Sequence, residues 1–223
     1  MDPRKQCRGA AGRRIIQHRK WLFPQGKWRE PEHPTGRRSW VGTYTPQMIT
    51  LRPAVPSDAE AIAGLHAQSW RENYRGAYLD TFLDGDLLGE RRAVWRERLD
   101  AHVCNQLVLV AVEGTSLAGF VCVYAAHDPQ WGSFIDNLHV ARAFKRGGIG
   151  SALMSRAAAW LVPQCPNHGV YLLVLEMNAS ARRFYERLGG SSAEVSTMET
   201  HGGAVVRSCR YTWPRPAALI QRA

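Results

Sequence analysis

Between an apolar strand-like run, 134–140, and a helix-like run, 151–161, the chain places Lys145-Arg146-Gly147-Gly148-Ile149-Gly150. Few local patterns constrain a fold more. A strand that feeds a glycine turn and then a helix aims the unpaired N–H groups and the positive dipole end of that helix at whatever lies over the turn. Glycines also remove the Cβ atoms that would hold a ligand away from the backbone. The predicted outcome is an α/β domain with an anion cradle at the mouth of its main helix; a glycine-rich connection with no ligand is the purely structural alternative.

The residues after Gly150 narrow the anion. A P-loop requires Gly-Lys-Ser/Thr at its end, whereas Gly150 is succeeded by Ser151 and Ala152. A dinucleotide fingerprint requires a small residue three positions after Gly150, where Leu153 stands, and no acidic residue closes a downstream strand at the right distance. A second block lies further along. The apolar run Tyr171-Leu172-Leu173-Val174-Leu175 leads into Glu176-Met177-Asn178, and Ala181, Phe184, Tyr185, Glu186 and Gly189 come after it at fixed offsets.

Lys145, Gly148 and Gly150 resemble the basic-or-Gln, x, x, Gly, x, Gly/Ala signature of the GCN5-related N-acetyltransferases, which cradle the pyrophosphate of acetyl-coenzyme A. The segment 178–189 resembles the second block of that family with no gap, and the two blocks stand in family order. One departure is Gly190, where the family usually carries a large apolar residue; it is expected to loosen packing at that corner and to leave the chemistry untouched.

The resemblance implies a mixed, mostly antiparallel central sheet with splayed middle strands, flanked by helices in the order β-α-α-β-β-β-α-β-α-β-β. Periodicity supports that order independently. It predicts strands over 49–52, 107–112, 117–125, 134–140, 170–175, 193–197 and 205–211, and helices from Pro56 to about Gly76, over 86–100, 148–161 and 180–188. Ser57 is expected to cap the first helix with Glu60 as its capping-box partner, and His201-Gly202-Gly203 to join the last two strands.

The resemblance also implies an activity, acetyl-coenzyme A-dependent transfer to an amine, with acetyl-coenzyme A as cosubstrate and no metal. By motif position Leu138, His139 and Val140 would flank the pantetheine arm. Lys145, Arg146, Gly147, Gly148, Ile149, Gly150 and Ser151 would hold the diphosphate. Tyr185 would approach the sulfur and act as general acid, and Asn178 would bond the pantetheine or simply form the turn after its strand. An alkyl amine with a pKa near ~10.4 must also lose a proton. Asp136 is the candidate base, two residues before Leu138 and on the same face by the period of two, with a salt bridge as the plainer role; Glu176 and His139 stand in reserve. Trp70, Tyr74 and Arg75, in Ser-Trp-Arg-x-x-Tyr-Arg-Gly, resemble a segment in a subset of the family acting on small amines and are candidate acceptor residues.

Charge divides the chain. Of a formal net charge of +10, residues 1–47 carry eleven Lys/Arg against three Asp/Glu, a net +8, and the remainder eighteen against sixteen, a net +2. With Pro3, Pro24, Pro31, Pro34 and Pro46 and no sustained period, that segment is expected to be a disordered or only locally ordered basic extension, with Met48 opening the folded unit; an organellar transit peptide, Arg-rich and acid-poor, is an alternative. The enzyme domain is then expected over 48–215 and a tail over 216–223. A nucleic-acid partner is expected only through the basic arm, where Trp21, Trp28 and Trp40 offer stacking surfaces. Five scattered cysteines support neither a disulfide framework nor a zinc site. No stretch has the roughly 18 to 20 apolar residues of a membrane span, and a cytoplasmic location is expected. A homodimer is compatible with the sequence. A silent acyl-coenzyme A sensor and an RNA-associated modifier stay open as alternatives.

Overall fold

The computed structural model describes residues 48–101, 103–200 and 203–220. The expectations for the basic extension, and for His201 and Gly202, lie outside these residues. Seven strands form one sheet: β1 (Ile49–Pro53), β2 (Gln106–Glu113), β3 (Ser116–Asp128), β4 (Gly132–Val140), β5 (Val170–Leu175), β6 (Ser191–Glu199) and β7 (Val205–Trp213), in spatial order β1-β2-β3-β4-β5-β7-β6. Neighbours are antiparallel except β4 and β5. The helices are α1 (Ala59–Asn73), α2 (Asp80–Leu83), α3 (Leu87–Asp100), α4 (Ile149–Leu161) and α5 (Ala179–Arg187). The expected order and mixed sheet are present; α2 is an additional single turn.

Both faces of the middle strands are covered, which is why 106–113 reads as a continuous apolar run. Leu109 and Ala111 pack with Leu153 and Met154 of α4 and Tyr185 of α5. Val108 and Val110 point the other way, to Ile62 and Ala63 of α1 and Trp95 of α3. In α4 the buried positions Ile149, Leu153, Met154, Ala157, Ala158 and Leu161 recur at helical spacing and form the stripe that holds it to the sheet.

Two details differ from the sequence reading. The first helix begins without the Ser57–Glu60 box: Pro56–Asp58 forms a 3-10 turn, and the Asp58 carboxylate accepts the Val55 N–H at 2.8 Å and the Arg52 guanidinium at 2.6 Å. Glu60 instead pairs with Arg92 of α3 at 2.6 Å. A guanidinium partner outcompetes a local cap for that carboxylate. At the other end, the chain does not leave the fold at 215. Pro216–Leu219 forms a second 3-10 turn, and Leu219, 3% exposed, joins the core under α4.

Beside the main helix, β4 and β5 are paired only at Ser133–Val170 and Phe134–Tyr171. Beyond those pairs the two strands diverge. Across β4 on its other side the register with β3 slips: Cys122 opposes Asn137 and Val123 opposes Ile135, so Asp136 has no opposite number and forms a bulge.

Candidate active site

The divergence of β4 and β5 opens a cavity of about 1030 Å³ that runs from the start of α4 to the aromatic side chains of α1. Its dimensions suit a ligand of at least drug size. At one end lies the glycine loop. Gly148 has φ +78° and is the residue before α4; this left-handed conformation is one that a Cβ disfavours. Arg146, at φ +68°, takes the same conformation without that freedom. No side chain caps α4, in contrast to α3, where Asp86 accepts the Gly89 N–H at 2.9 Å, and α5, where Asn178 accepts the Ala181 N–H at 3.1 Å. The first amides of α4 therefore face the cavity without a side-chain acceptor.

Most of the expected site residues come together here. Leu138, His139, Val140, Lys145, Arg146, Gly148, Ile149, Gly150, Ser151, Asn178 and Tyr185 line the cavity, as do Asp136, Trp70 and Tyr74. Gly147 does not: it is exposed and lies off the cavity wall. Arg75 is also elsewhere. Its guanidinium is exposed and is held by Asp80 at 2.7 Å and by Asp84. Those two carboxylates flank the unexpected turn α2, and they draw the side chain away from the cavity.

Asp136 lines the cavity from an unexpected direction. A period of two would set it on the face of Leu138, which packs toward α4. The bulge breaks that alternation, and the Asp136 carboxylate meets Arg98 of α3 at 2.6 Å and the side-chain amide of Asn137. His139 bonds Ser69 Oγ at 2.8 Å through Nδ1, and its ring lies 4.8 Å from that of His66. Burial, with a smaller contribution from the Lys145 charge, pushes the His139 pKa down to about 4. It is neutral at physiological pH. The reserve carboxylate Glu176 pairs with Arg207 at 2.9 Å.

Tyr185 is 9% exposed, and its ring sits against Phe184, Tyr211 and Trp213. Its hydroxyl makes no hydrogen bond among the described residues, and burial raises its pKa above the usual tyrosine value. The phenol keeps its proton through the neutral range. Asn178 uses its side-chain oxygen to accept the Ala181 N–H as the α5 cap, so the turn-forming role is realised, and its amide nitrogen can still donate to a ligand.

The corner at Gly190 departs from expectation. A Cβ there would lie 2.6 Å from Trp213 Cζ2, so the indole occupies the space that an apolar side chain fills elsewhere. Trp213 is 1% exposed, and its Nε1 donates to the Leu188 carbonyl at 2.9 Å. Packing at this corner is tight.

Sequence reasoning missed Arg91. With Leu87 and Trp95 it is one of the three buried residues of α3, spaced by four. A cation on the period of the buried stripe was the available signal. The guanidinium lies over the Trp70 ring, 4.6 Å from its centroid, and lines the cavity.

Comparison with known proteins bears on the whole arrangement. Residues 59–190 match the model of the acetyltransferase (GNAT) family. The protein named "Probable N-acetyltransferase Rv2775" of Mycobacterium tuberculosis is 30% identical over 147 residues, which span 64% of this chain and 79% of that one. Among solved structures, the PaiA N-acetyltransferase of Thermoplasma acidophilum in complex with coenzyme A aligns with a TM-score of 0.53 at 18% identity, covering 72% of this chain and 97% of that one. Arabidopsis thaliana NAA60 in complex with a bisubstrate analogue aligns with a TM-score of 0.53 at 19% identity, covering 74% and 97%. These two likenesses are of fold. Both glycine-loop and Asn-to-Gly blocks fall within the matched segment, on either side of diverging strands, and the chain belongs to the acetyltransferase (GNAT) family.

Proposed function

We propose that this chain moves an acetyl group from acetyl-coenzyme A directly to a primary amine of a small molecule or peptide. The observation that carries this reading is the continuity of one cavity from the uncapped amides of α4, between β4 and β5, past Tyr185, to Trp70 and Tyr74. The coenzyme A bound by the Thermoplasma relative and the bisubstrate analogue bound by NAA60 support it by analogy.

The residues present fit such a cosubstrate. The α4 amides, with Lys145 and Arg146 beside them, would hold the diphosphate. The parts of β4 and β5 left without partners expose backbone groups to the pantetheine arm. The thioester supplies the activated acetyl group. Of the protein's own groups, a β4 backbone N–H near Leu138 polarises the acetyl carbonyl, and Tyr185 is the proton donor to the leaving sulfur. Asp136 accepts the amine's proton, directly or through water, while Arg98 and Asn137 fix its carboxylate. Trp70 and Tyr74 form the acceptor wall, and His139 with Ser69 borders it. The domain is assigned to 48–219, in a cytoplasmic protein.

Titration calorimetry with acetyl-coenzyme A and release of coenzyme A thiol across a panel of amines test the proposal together. Binding and acceptor-dependent thiol release are the expected results. Binding with no thiol release on any amine would leave an acyl-coenzyme A-binding protein without transfer, and Asp136→Asn turning over like the wild type would remove Asp136 as the base. Loss of turnover in His139→Gln alone would move that role to the histidine.

A further inference from the structure

The acceptor end of the cavity holds polar atoms that the protein itself leaves unanswered. Arg91 is 5% exposed, and one terminal nitrogen donates to Glu90 Oε1 at 2.6 Å. Its Nε is buried and has no partner among the described residues. A buried guanidinium N–H without an acceptor is costly to keep, and a ligand that supplies the acceptor recovers that cost. Thr200 Oγ1 and Ser208 Oγ, on residues 5% and 1% exposed, are in the same condition and line the same cavity.

These groups share one region. Val206 packs into the aromatic cluster of Trp70, Tyr74 and Tyr78, and Ser208 comes two residues later on the same face of β7. Met198 opposes Val206 in the β6–β7 register, which sets Thr200, two residues on, on that face as well. Arg91 enters from the helix side, over the Trp70 ring. The other guanidinium groups nearby are engaged: Arg98 with Asp136, Arg75 with Asp80 and Asp84, and Arg71 with the Leu83 carbonyl at 2.9 Å.

We propose that Arg91 is the specificity-determining residue of the acceptor pocket, binding a carboxylate carried by the amine substrate, with the Thr200 and Ser208 hydroxyls completing its hydrogen bonds. This rests on the acetyl-transfer reading, and it narrows the acceptor to amino acid-like molecules, with the amine toward Asp136 and the carboxylate toward Arg91. A buried N–H without an acceptor beside two hydroxyls suits a monoanion; the Glu90 carboxylate already balances part of the Arg91 charge. The aromatic walls favour an apolar body between the two charged ends.

The test uses products, so that amine basicity does not enter. With coenzyme A at saturation, calorimetry on the full chain compares N-acetyl-leucine, N-acetyl-methionine and N-acetyl-phenylalanine with their primary carboxamides. The wild type is expected to bind at least one carboxylate about tenfold or more tightly than its carboxamide, because a site built to bond a group rejects the analogue lacking it. Arg91→Met is expected to bring that ratio close to one. Arg91→Lys, which keeps the charge but loses the fork, is expected to give an intermediate ratio and serves should Arg91→Met not fold. Thr200→Val is expected to lower the ratio about threefold. With any amine that is turned over, Arg91→Met should raise KM by more than it lowers kcat. A wild-type ratio near one for every pair, absence of binding by all of them, or a preference that survives Arg91→Met overturns the assignment. Thiol release with the corresponding free amines separates the two proposals: a carboxylate preference without release keeps the subsite and removes the transfer reaction, and release without the preference does the reverse.

Discussion

At the scale of the residue, environment decides what each group can do. Tyr185 has no hydrogen-bond partner among the described residues, and burial holds its proton on. Tyr185→Phe is expected to lower kcat about 10²-fold and to change acetyl-coenzyme A affinity by less than about threefold. For the same reason the wild-type rate profile should lack the falling limb that an ordinary tyrosine would give near pH ~10; a limb there that vanishes in Tyr185→Phe would contradict the buried phenol. His139 carries a stability consequence. Its folded pKa of about 4 lies below its unfolded value, so the unfolded chain binds more protons between the two, and stability is retained above pH ~6.5 and lost progressively toward pH ~4. The contribution is up to about 3 kcal/mol. Urea unfolding at pH 7 and pH 4.5 should show a smaller difference in His139→Gln than in the wild type. Tyr185 was legible because an aromatic at that offset belongs to a block of fixed spacing. Arg91 was not, since its meaning depends on Trp70 and on Ser208, which lies more than a hundred residues away in the chain. Arg75 was misplaced because nothing local announces that Asp80 and Asp84 turn back to hold it.

At the scale of the element, strand and helix limits emerged from periodicity to within a few residues. The differences have physical causes. A bulge is one extra residue, with no signature in an apolar run such as 132–140, yet it turned Asp136 from the α4 side of the sheet to Arg98 of α3. Gly148 was the opposite case: the sequence marked it as a residue without a Cβ at the mouth of the helix, and it takes the left-handed turn there. Gly148→Ala should destabilise the protein by about 1 kcal/mol through that conformation and weaken acetyl-coenzyme A binding about tenfold, both readable by denaturant titration and calorimetry. Gly190 tests packing between α5 and β7. Gly190→Leu drives a side chain into the Trp213 indole and should cost about 1–3 kcal/mol or more. In a Trp213→Ala background, itself costly by about 3–5 kcal/mol, the added leucine should cost less or stabilise, and equal costs in the two backgrounds would show that the ring is not what excludes a side chain.

At the scale of the whole molecule, two cores press on opposite faces of one sheet, and the cavity opens where that sheet divides between β4 and β5. The sequence forecast the division through the resemblance, but it set the C-terminal limit too early, because Pro216-Ala217-Ala218-Leu219 is too short to show a period. Leu219 is 3% exposed beneath α4, the helix whose N-terminal amides face the cavity. Ending the chain at 215 should therefore uncover one flank of α4. Leu219→Ala is expected to cost about 2–4 kcal/mol in unfolding free energy, at the upper end where the turn cannot collapse into the space. The loss should appear chiefly as a lower denaturation midpoint with an unchanged slope. Coenzyme A at about 100 times its dissociation constant should restore about 2.7 kcal/mol, since it binds only the folded chain. That recovery is the informative part: a destabilised Leu219→Ala protein that coenzyme A rescues keeps its α4 cradle intact, while one that no longer binds would place the C-terminal turn among the supports of the site.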